Sequence, residues 1–471
     1  MASKEHRWLH WMQHQVDDAP VGDLSAKVLS RMYPAMSAWA RRRSEKGAQK
    51  AEALLERYIA ELEAGNPHTS PTVSHFNTVV SAWAKSRKRS APEHAQRIVR
   101  RMQELRKKHT LTDIAPDVVT LSTLLAAWSA SRKPEAVQKV VKLLEFMEMA
   151  GHDVTTTTYN SAIRVLVHSP ATDKALQVED ILNRMLDRHE NQGMSCKPDI
   201  YTYQSLIVAW SRTRVGGTPQ KAEELLQSLT EKSALPGQER LTPNSHCYTA
   251  AIHAWAYSNE QNKARRAYQI LLRMRERWAE TRSDDMRPNI VAYTAVINAC
   301  SNPHHDSESE TSLQIAKLIM EEIRYFDCGK PNFVTYAAFF KVIGSTMEEG
   351  SPEREALVRR TFENCCREGQ VGRLVIDKVK QAASKELFEE LIPLKGIPFE
   401  WNCNVQGEHN ETTESSEEED DEQQPAGSTT LTDESMAKLR AVREKSGVAG
   451  PFSRESADDD MPNVSWSYGS L

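Results

Sequence analysis

Apolar positions along this chain fall into two alternating helical registers. The stretch around Ile290 shows the unit plainly. After a Pro-Asn lead-in (Pro288, Asn289), IVAYTAVINACS reads as an apolar helix; a polar loop follows, and TSLQIAKLIMEEIRYF then reads as an amphipathic helix. The same order recurs along the chain. Tryptophans stand at Trp39, Trp83, Trp128, Trp210 and Trp255 in near-identical settings (MSAWARR, VSAWAKS, LAAWSAS, IVAWSRT, IHAWAYS), 44, 45, 82 and 45 residues apart. The long interval holds one missed beat, with Leu166 in NSAIRVLVHS where a tryptophan would stand, and Cys300 in TAVINACSN continues the series. A fixed period of this size marks a solenoid. The fold predicted is all-α, a stack of antiparallel helix pairs sharing one continuous core.

Helical phase says which side faces what. Phe76 and Trp83, Tyr203 and Trp210, and Tyr293 and Cys300 are each seven residues apart, which at about 100° per residue returns them to one face. That face is core, and it puts the tryptophans between helices. The residue after each aromatic position (Asn77, Ser122, Asn160, Gln204, Thr249, Thr294) is rotated off the core and is small or polar in nearly every copy. Such a column lines one surface of the stack.

At these residues the pattern becomes specific. PDVVTLSTLLAAW, KPDIYTYQSLIVAW, TPNSHCYTAAIHAW, RPNIVAYTAVINAC and KPNFVTYAAFFKVI resemble the opening of a pentatricopeptide repeat, in its P-type form with elongated units. The resemblance implies a right-handed α-solenoid. Its parts would be a leader or cap over 1–28, seven to eight repeats over 29–372, capping helices over 373–405 and an acidic, disordered tail over 406–471. The repeats divide at about Leu29–Thr72 (degenerate), Val73–Asp117, Val118–Thr155, Thr156–Asp199, Ile200–Asn244, Ser245–Asn289, Ile290–Asn332, and Phe333 to near Gly372. They run 38 to 45 residues against about 35 in the family, with the extra length between the helices or beyond the second. That puts the base spacing along a bound strand in question.

The resemblance further implies binding of single-stranded RNA, one base per repeat. The base is read by the residue after the first helix's aromatic together with the last residue of the repeat. The pairs are Asn77/Asp117, Ser122/Thr155, Asn160/Asp199, Gln204/Asn244, Thr249/Asn289 and Thr294/Asn332; the next repeat offers only Ala337. Carried over, they read U, unassigned, U, unassigned, A, A from 5′ to 3′. Short amides, hydroxyls and carboxylates suit the edge of a splayed base, whereas Asp and Asn ahead of a helix also serve as ordinary caps. Val119, Val291 and Val334 match the family's base-stacking position, while Ser74, Thr157, Tyr201 and His246 stand there in other repeats. Lys85 and Arg212 match a phosphate-contacting position, and a cation at a helix C-terminus is favoured by the helix dipole in any case.

Charge sharpens the picture. The chain is at −5 overall, yet residues 396–471 hold 17 acidic and 5 basic residues, which leaves a mildly basic array at +7 with an acidic tail. From Gln406 the tail (GEHNETTESSEEEDDEQQPAGSTT) has nothing apolar to bury, and a short helix is expected near Thr432–Glu444. The tail is a candidate contact for protein partners, a competitor for the basic surface, or an inert solubilising segment. Ahead of it, the Pro-x-x-Trp of IPFEWNCNV reads as a cap over the last helix. The basic runs Arg41-Arg42-Arg43 and Arg87-Lys88-Arg89, with Arg97, Arg100, Arg101, Arg106, Lys107 and Lys108, read either as phosphate attractors or as solvated helix faces.

No run of 18 apolar residues predicts a membrane span, and no C-x-x-C spacing points to zinc or a disulfide framework among the seven cysteines. His10/His14 and His304-His305-Asp306 lack further ligands nearby. Without phosphate loops, triads or a deaminase or nuclease module, the expectation is a cofactor-free, monomeric binding protein and not an enzyme. Two functions remain: an RNA-binding solenoid acting on organellar transcripts in processing, stability or translation, or a helical scaffold for protein partners. The family points to mitochondrion or plastid. The segment MASKEHRWLHWMQHQVDDAP, with Glu5, Asp17 and Asp18, is unlike an acid-poor transit peptide and leaves the cytoplasm as the alternative.

Overall fold

The structure, a computed structural model, describes residues 2–109, 114–213, 216–325, 330–393 and 397–405. Among these residues every regular element is helical. An inner series comprises α2 (Ala26–Ala40), α4 (Val73–Ser86), α6 (Val118–Ala130), α8 (Thr156–Val167), α10 (Ile200–Ser211), α12 (Ser245–Ala256), α14 (Ile290–Cys300) and α16 (Phe333–Thr346). Each is followed by an outer helix: α3 (Glu45–Glu63), α5 (Ala91–Lys108), α7 (Ala136–Met149), α9 (Lys174–Glu190), α11 (Thr218–Ser233), α13 (Lys263–Thr281), α15 (Ser309–Tyr325) and α17 (Pro352–Arg367). An N-terminal α1 (Ala2–Asp18) precedes them, and α18 (Arg373–Ala382), α19 (Lys385–Leu391) and α20 (Phe399–Asn402) follow. Among the described residues the chain is an all-α series of helical hairpins. It falls into two compact units, one of residues 1–213 with 232–242 and the other of 214–231 with the residues from 243 onward.

Within the first unit α2, α4, α6, α8 and α10 pack side by side, and α2, α4, α6 and α8 are each also covered by their outer partners. The inner helices are therefore squeezed from several sides, which is why their sequences are apolar all round. In the second unit α14 shows this most fully, with Ala292 through Ile297 and then Ala299 and Cys300 all buried. Outer helices bury one stripe; α13 hides Ala264, Ala267, Tyr268, Ile270, Leu271 and Met274 and exposes Arg265 and Arg266, while Arg275 pairs with the buried Glu322 of α15 at 3.0 Å.

Inner helices begin where the chain is forced out of helix. Pro116, Pro198, Pro243, Pro288 and Pro331 each precede an Asp or Asn with φ between −94° and −111° and an extended ψ. The side chain of each of those residues (Asp117, Asp199, Asn244, Asn289, Asn332) accepts the backbone N–H three residues on, a cap worth about 1 kcal/mol. The degenerate first repeat lacks this device, and α2 starts at Ala26, three residues ahead of Leu29.

The tryptophans are core residues: Trp39, Trp83, Trp128, Trp210 and Trp255 are all at most 9% exposed. Two of them share an anchoring scheme that the sequence did not announce. Trp83 Nε1 donates to Glu52 of the preceding outer helix at 2.9 Å, and Arg97 closes on the same carboxylate. In the second unit Trp255 Nε1 donates to Glu223 at 3.0 Å, and Arg273 pairs with that carboxylate.

At the N-terminal end α1 buries Leu9, Met12 and Val16 against the array. At the other end α20 docks on α17. Trp401 sits edge-on to Phe362 with centroids 5.7 Å apart, and its carbonyl accepts from Val371 N at 2.7 Å. Gly369 is required there, because its φ is +68° and an added Cβ would come within 2.6 Å of Cys403 Sγ. The acidic tail over 406–471, including the helix expected at Thr432–Glu444, lies outside the described residues.

Candidate nucleic-acid interface

The residue after each inner-helix aromatic and the cap of the next inner helix belong to different helices, so their meeting is a property of the stack. Asn77 projects from the second turn of α4, and Asp117 caps α6 beside it. Asn77 Nδ2 donates to the two oxygens of Asp117 at 3.2 and 3.4 Å. A third residue joins them: Thr120, fully buried in the first turn of α6, donates its hydroxyl to Asn77 Oδ1 at 2.5 Å and to Asp117 Oδ1 at 2.8 Å. Its backbone N–H gives Asp117 the cap bond at 2.7 Å. Desolvation pushes the Asp117 carboxyl up, but hydrogen bonds from the Thr120 N–H and hydroxyl and the Asn77 amide outweigh it, so the group sits below the usual aspartate value.

The same triad is built again around α8 and α10. Asn160 Nδ2 reaches Asp199 at 3.1 and 3.3 Å, and Thr202 donates to Asn160 Oδ1 at 2.8 Å and to Asp199 Oδ1 at 2.9 Å. Elsewhere the relay is reduced. Ser122 accepts from Thr158 at 3.0 Å, while Thr158 contacts Thr155 at 3.1 Å. In the second unit Thr294 and Thr335 share a 2.8 Å hydrogen bond, and Thr335 donates to Asn332 at 2.9 Å. Thr249 bonds its own helix at Ser245 O, and Ala292 stands where the relay threonine would be, so Asn289 only caps α14. Gln204 and Asn244 fall in different units, and Cys247 occupies the relay position there. Ala337 is buried.

Around the readers the first turn of each inner helix is held out to solvent. Val119, Val291 and Val334 are 58%, 51% and 38% exposed, and Tyr201, in the same position, is 63% exposed. Apolar side chains left in water at equivalent places in successive repeats are available to cover the faces of flat rings. An open groove of about 730 Å³ in the first unit gathers Ser74, Asn77, Lys85 and Val119 together with Tyr33, Arg41 and Arg43.

Residues 278–346 match the sequence profile of a family described as the pentatricopeptide repeat domain. Over those residues the chain is similar to a pentatricopeptide repeat domain. None of the curated proteins matches it. Among solved structures it is similar to the crystal structure of the pentatricopeptide repeat protein PPR10 from maize, at 21% identity and a TM-score of 0.42, over 79% of this chain and 45% of that one. It is similar also to PPR10 in complex with an 18-nt psaJ RNA element, at 21% identity and a TM-score of 0.31, over 79% of this chain and 44% of that one. The chain thus spans less than half the length of these structures.

The hairpins place Lys85 in the last turn of α4 and Arg212 at the C-cap of α10, both exposed. Ser129, seven places beyond Ser122, donates to Ser161 O of the next repeat at 2.8 Å. The degenerate first repeat also has a residue in the reader column. Tyr33 follows Met32, which fills the aromatic's place, and its ring lies 5.0 Å from that of His75. The missing aromatic hid this position in the sequence, although Tyr33 is six residues before Trp39, the same offset as Asn77 from Trp83.

The basic runs resolve into paired and free cations. Arg41 pairs with Glu5 at 2.9 Å, Arg42 lies 4.2 Å over the Trp39 ring, and Arg101 and Lys108 both reach Glu63 at 3.0 Å. Arg43, Arg87, Arg89, Arg100, Arg106 and Lys107 form no ion pair among the described residues. No group of three His, Cys, Asp or Glu among the described residues is placed to hold a metal, and no helix there is long and apolar enough to cross a membrane.

Proposed function

We propose that this chain binds single-stranded RNA along the exposed edge of its inner helices, reading bases one per repeat, and acts in organellar RNA processing, stability or translation without catalysis of its own. The observation that carries the reading is the repeated triad. Asn77–Thr120–Asp117 and Asn160–Thr202–Asp199 have the same atoms in the same hydrogen bonds, beside solvent-exposed first-turn side chains at Val119 and Tyr201. An Asn amide locked by two partners offers a fixed donor and acceptor to a base edge, and an apolar neighbour covers its face. The maize relative's complex with an 18-nt RNA element is the analogy that names the ligand. A site in a mitochondrion or plastid rests on the family alone.

The test is selection from a randomised single-stranded RNA pool with the full chain at fixed salt, repeated with Asn77→Ala and Asn160→Ala. Enrichment of uridines at two positions, each relaxed by one variant, is the expected result; enrichment of no sequence sinks base reading. The scaffold reading has one observation on its side. An apolar cleft of about 550 Å³ on the outer helices is lined by Val137, Val141, Leu166, Leu176 and Ile181, with Leu176 60% exposed.

A further inference from the structure

Within three residues of the ends of three inner helices, the chain turns through a conformation that its residues do not favour. Arg43, Arg87 and Arg132 follow α2, α4 and α6 with φ of 48°, 52° and 52°, in the left-handed region where a Cβ crowds the backbone and glycine is the usual occupant. The chain does use glycine for this purpose at its outer helices: Gly65, Gly151, Gly193 and Gly369 turn those corners with φ of 83°, 71°, 66° and 68°. One outer corner holds an arginine, Arg282, and there the guanidinium lies 5.9 Å over the Trp278 ring. Arg43, Arg87 and Arg132 have no such partner among the described residues, and all three are exposed. Each stands four residues after its repeat's tryptophan, so they occupy one place in three successive repeats.

That place borders the reading surface. Arg43 lines the same groove as Asn77 and Lys85 of the next repeat and Val119 of the one after, and Arg87 and Arg132 repeat its offset from the tryptophan one and two hairpins on. Neighbouring inner helices pack at about 8–10 Å, which sets the spacing of the row. The dipole of the preceding helix favours a cation anywhere in the last turn, which Lys85 already satisfies for α4. It does not account for placing the cation on the one residue whose backbone suits glycine.

We infer that Arg43, Arg87 and Arg132 form a guanidinium row that grips the phosphates of the bound strand, a contact line separate from Lys85 and Arg212; this rests on the RNA-binding reading. A rigid planar fork is suited to bidentate contact with phosphate oxygens. The row holds the backbone at the rim, the readers face the bases, and the left-handed corner fixes where each fork leaves the chain.

The experiment uses the full chain with Arg43→Gly, Arg87→Gly and Arg132→Gly combined. The control combines Lys46→Gln, Lys107→Gln and Lys142→Gln, which removes the same charge from exposed positions on the outer helices. Binding to poly(U) is followed from low to high salt. Each lost phosphate contact lowers the slope of log K against log salt by about 0.7 for a single strand, so the glycine variant should lose about 2 from the slope and the control much less. Thermal melting should be unchanged or raised in the glycine variant, because glycine suits the corner; an Arg→Asn triple, also tolerant of that φ, serves if the first variant misfolds. Equal slopes for the two triples overturn the row while leaving RNA binding intact. Failure of the unaltered chain to bind poly(U) or any pooled RNA overturns the RNA reading, and the row with it. Undiminished poly(U) binding with lost affinity for poly(Glu) would assign the row to an acidic protein partner instead.

Discussion

Replacing Thr120 by valine removes one hydroxyl and almost no volume, so it isolates the relay between Asn77 and Asp117. The lost groups are a 2.5 Å bond to Asn77 Oδ1, a 2.8 Å bond to Asp117 Oδ1 and a 3.2 Å bond accepted from Asp117 N. A fully buried group left without its partner costs about 1–3 kcal/mol. Thr120 is buried, but Asn77 and Asp117 are half-exposed, so water replaces part of the loss, and about 1–2 kcal/mol is expected in urea unfolding. The cap itself survives, since Thr120 N still reaches Asp117 at 2.7 Å. What changes is the amide of Asn77, now tethered only through Nδ2 at 3.2 and 3.4 Å and freer to rotate. Loss of about 1.4 kcal/mol of base discrimination is a factor of about 10. The assay compares RNAs that differ at the base facing Asn77 and, separately, at the base facing Asn160. Thr120→Val should relax the first and spare the second, while Thr123→Val, which breaks only a local bond to Val119 O, should relax neither. If Thr120→Val lowers stability as expected but leaves both discriminations intact, the triad is a helix cap and the reasoning fails.

The converse change, Ala292→Thr, should install the missing relay between Thr249 and Asn289 and sharpen selectivity at that repeat alone, read in the same competition assay. Glu52→Ala strands the buried Trp83 indole N–H, bonded at 2.9 Å, and unpairs Arg97; a loss of about 2–3 kcal/mol is expected in chemical denaturation, against a smaller loss for Glu52→Gln. Gly369→Ala combines a φ of +68° with a Cβ at 2.6 Å from Cys403 Sγ and 2.9 Å from Asn404 Nδ2. It should release the Trp401 cap, seen as red-shifted tryptophan emission that Trp401→Phe abolishes. Burial pushes the Glu61 carboxyl up, but bonds from Asn66 and the Gly22 and Leu24 N–H groups, with Arg57 nearby, hold it below the ordinary value of 4.5. A depressed folded pKa gives stability that is present above pH 4.5 and lost as pH falls through the folded value, so Glu61→Gln should flatten the acid limb of a melting-temperature profile.

The inner helices were legible because their signals are local. A proline, a capping Asp or Asn and a seven-residue aromatic spacing lie within one stretch of chain, and α6, α10, α12, α14 and α16 begin at Val118, Ile200, Ser245, Ile290 and Phe333, the residues after those caps, while α4 and α8 begin after Thr72 and Thr155. The burial of the tryptophans was legible for the same reason. The relay was not. Thr120 and Thr202 look like helix-favouring capping-box residues of their own repeats, and their bond to an asparagine some 42 or 43 residues away exists only once two hairpins are stacked. The basic runs misled in part, since charge alone does not say that Arg101 and Lys108 converge on Glu63. Tyr33 was not singled out because Met32 stands where the other repeats have the residue that marked the column.

Each Asn–Thr–Asp triad is shared between two hairpins. Its first member belongs to one hairpin, while the cap and the relay threonine belong to the opening of the next, so the natural unit of exchange is offset from the helical hairpin by a full helical turn. Grafting residues from Val73 to Asp117 elsewhere would leave Asn77 beside whatever follows Asp117, and a graft that stops there without Thr120 would lose the relay hydroxyl. A chain enlarged or pruned at hairpin boundaries would keep its folding and change its reading one position upstream of every cut.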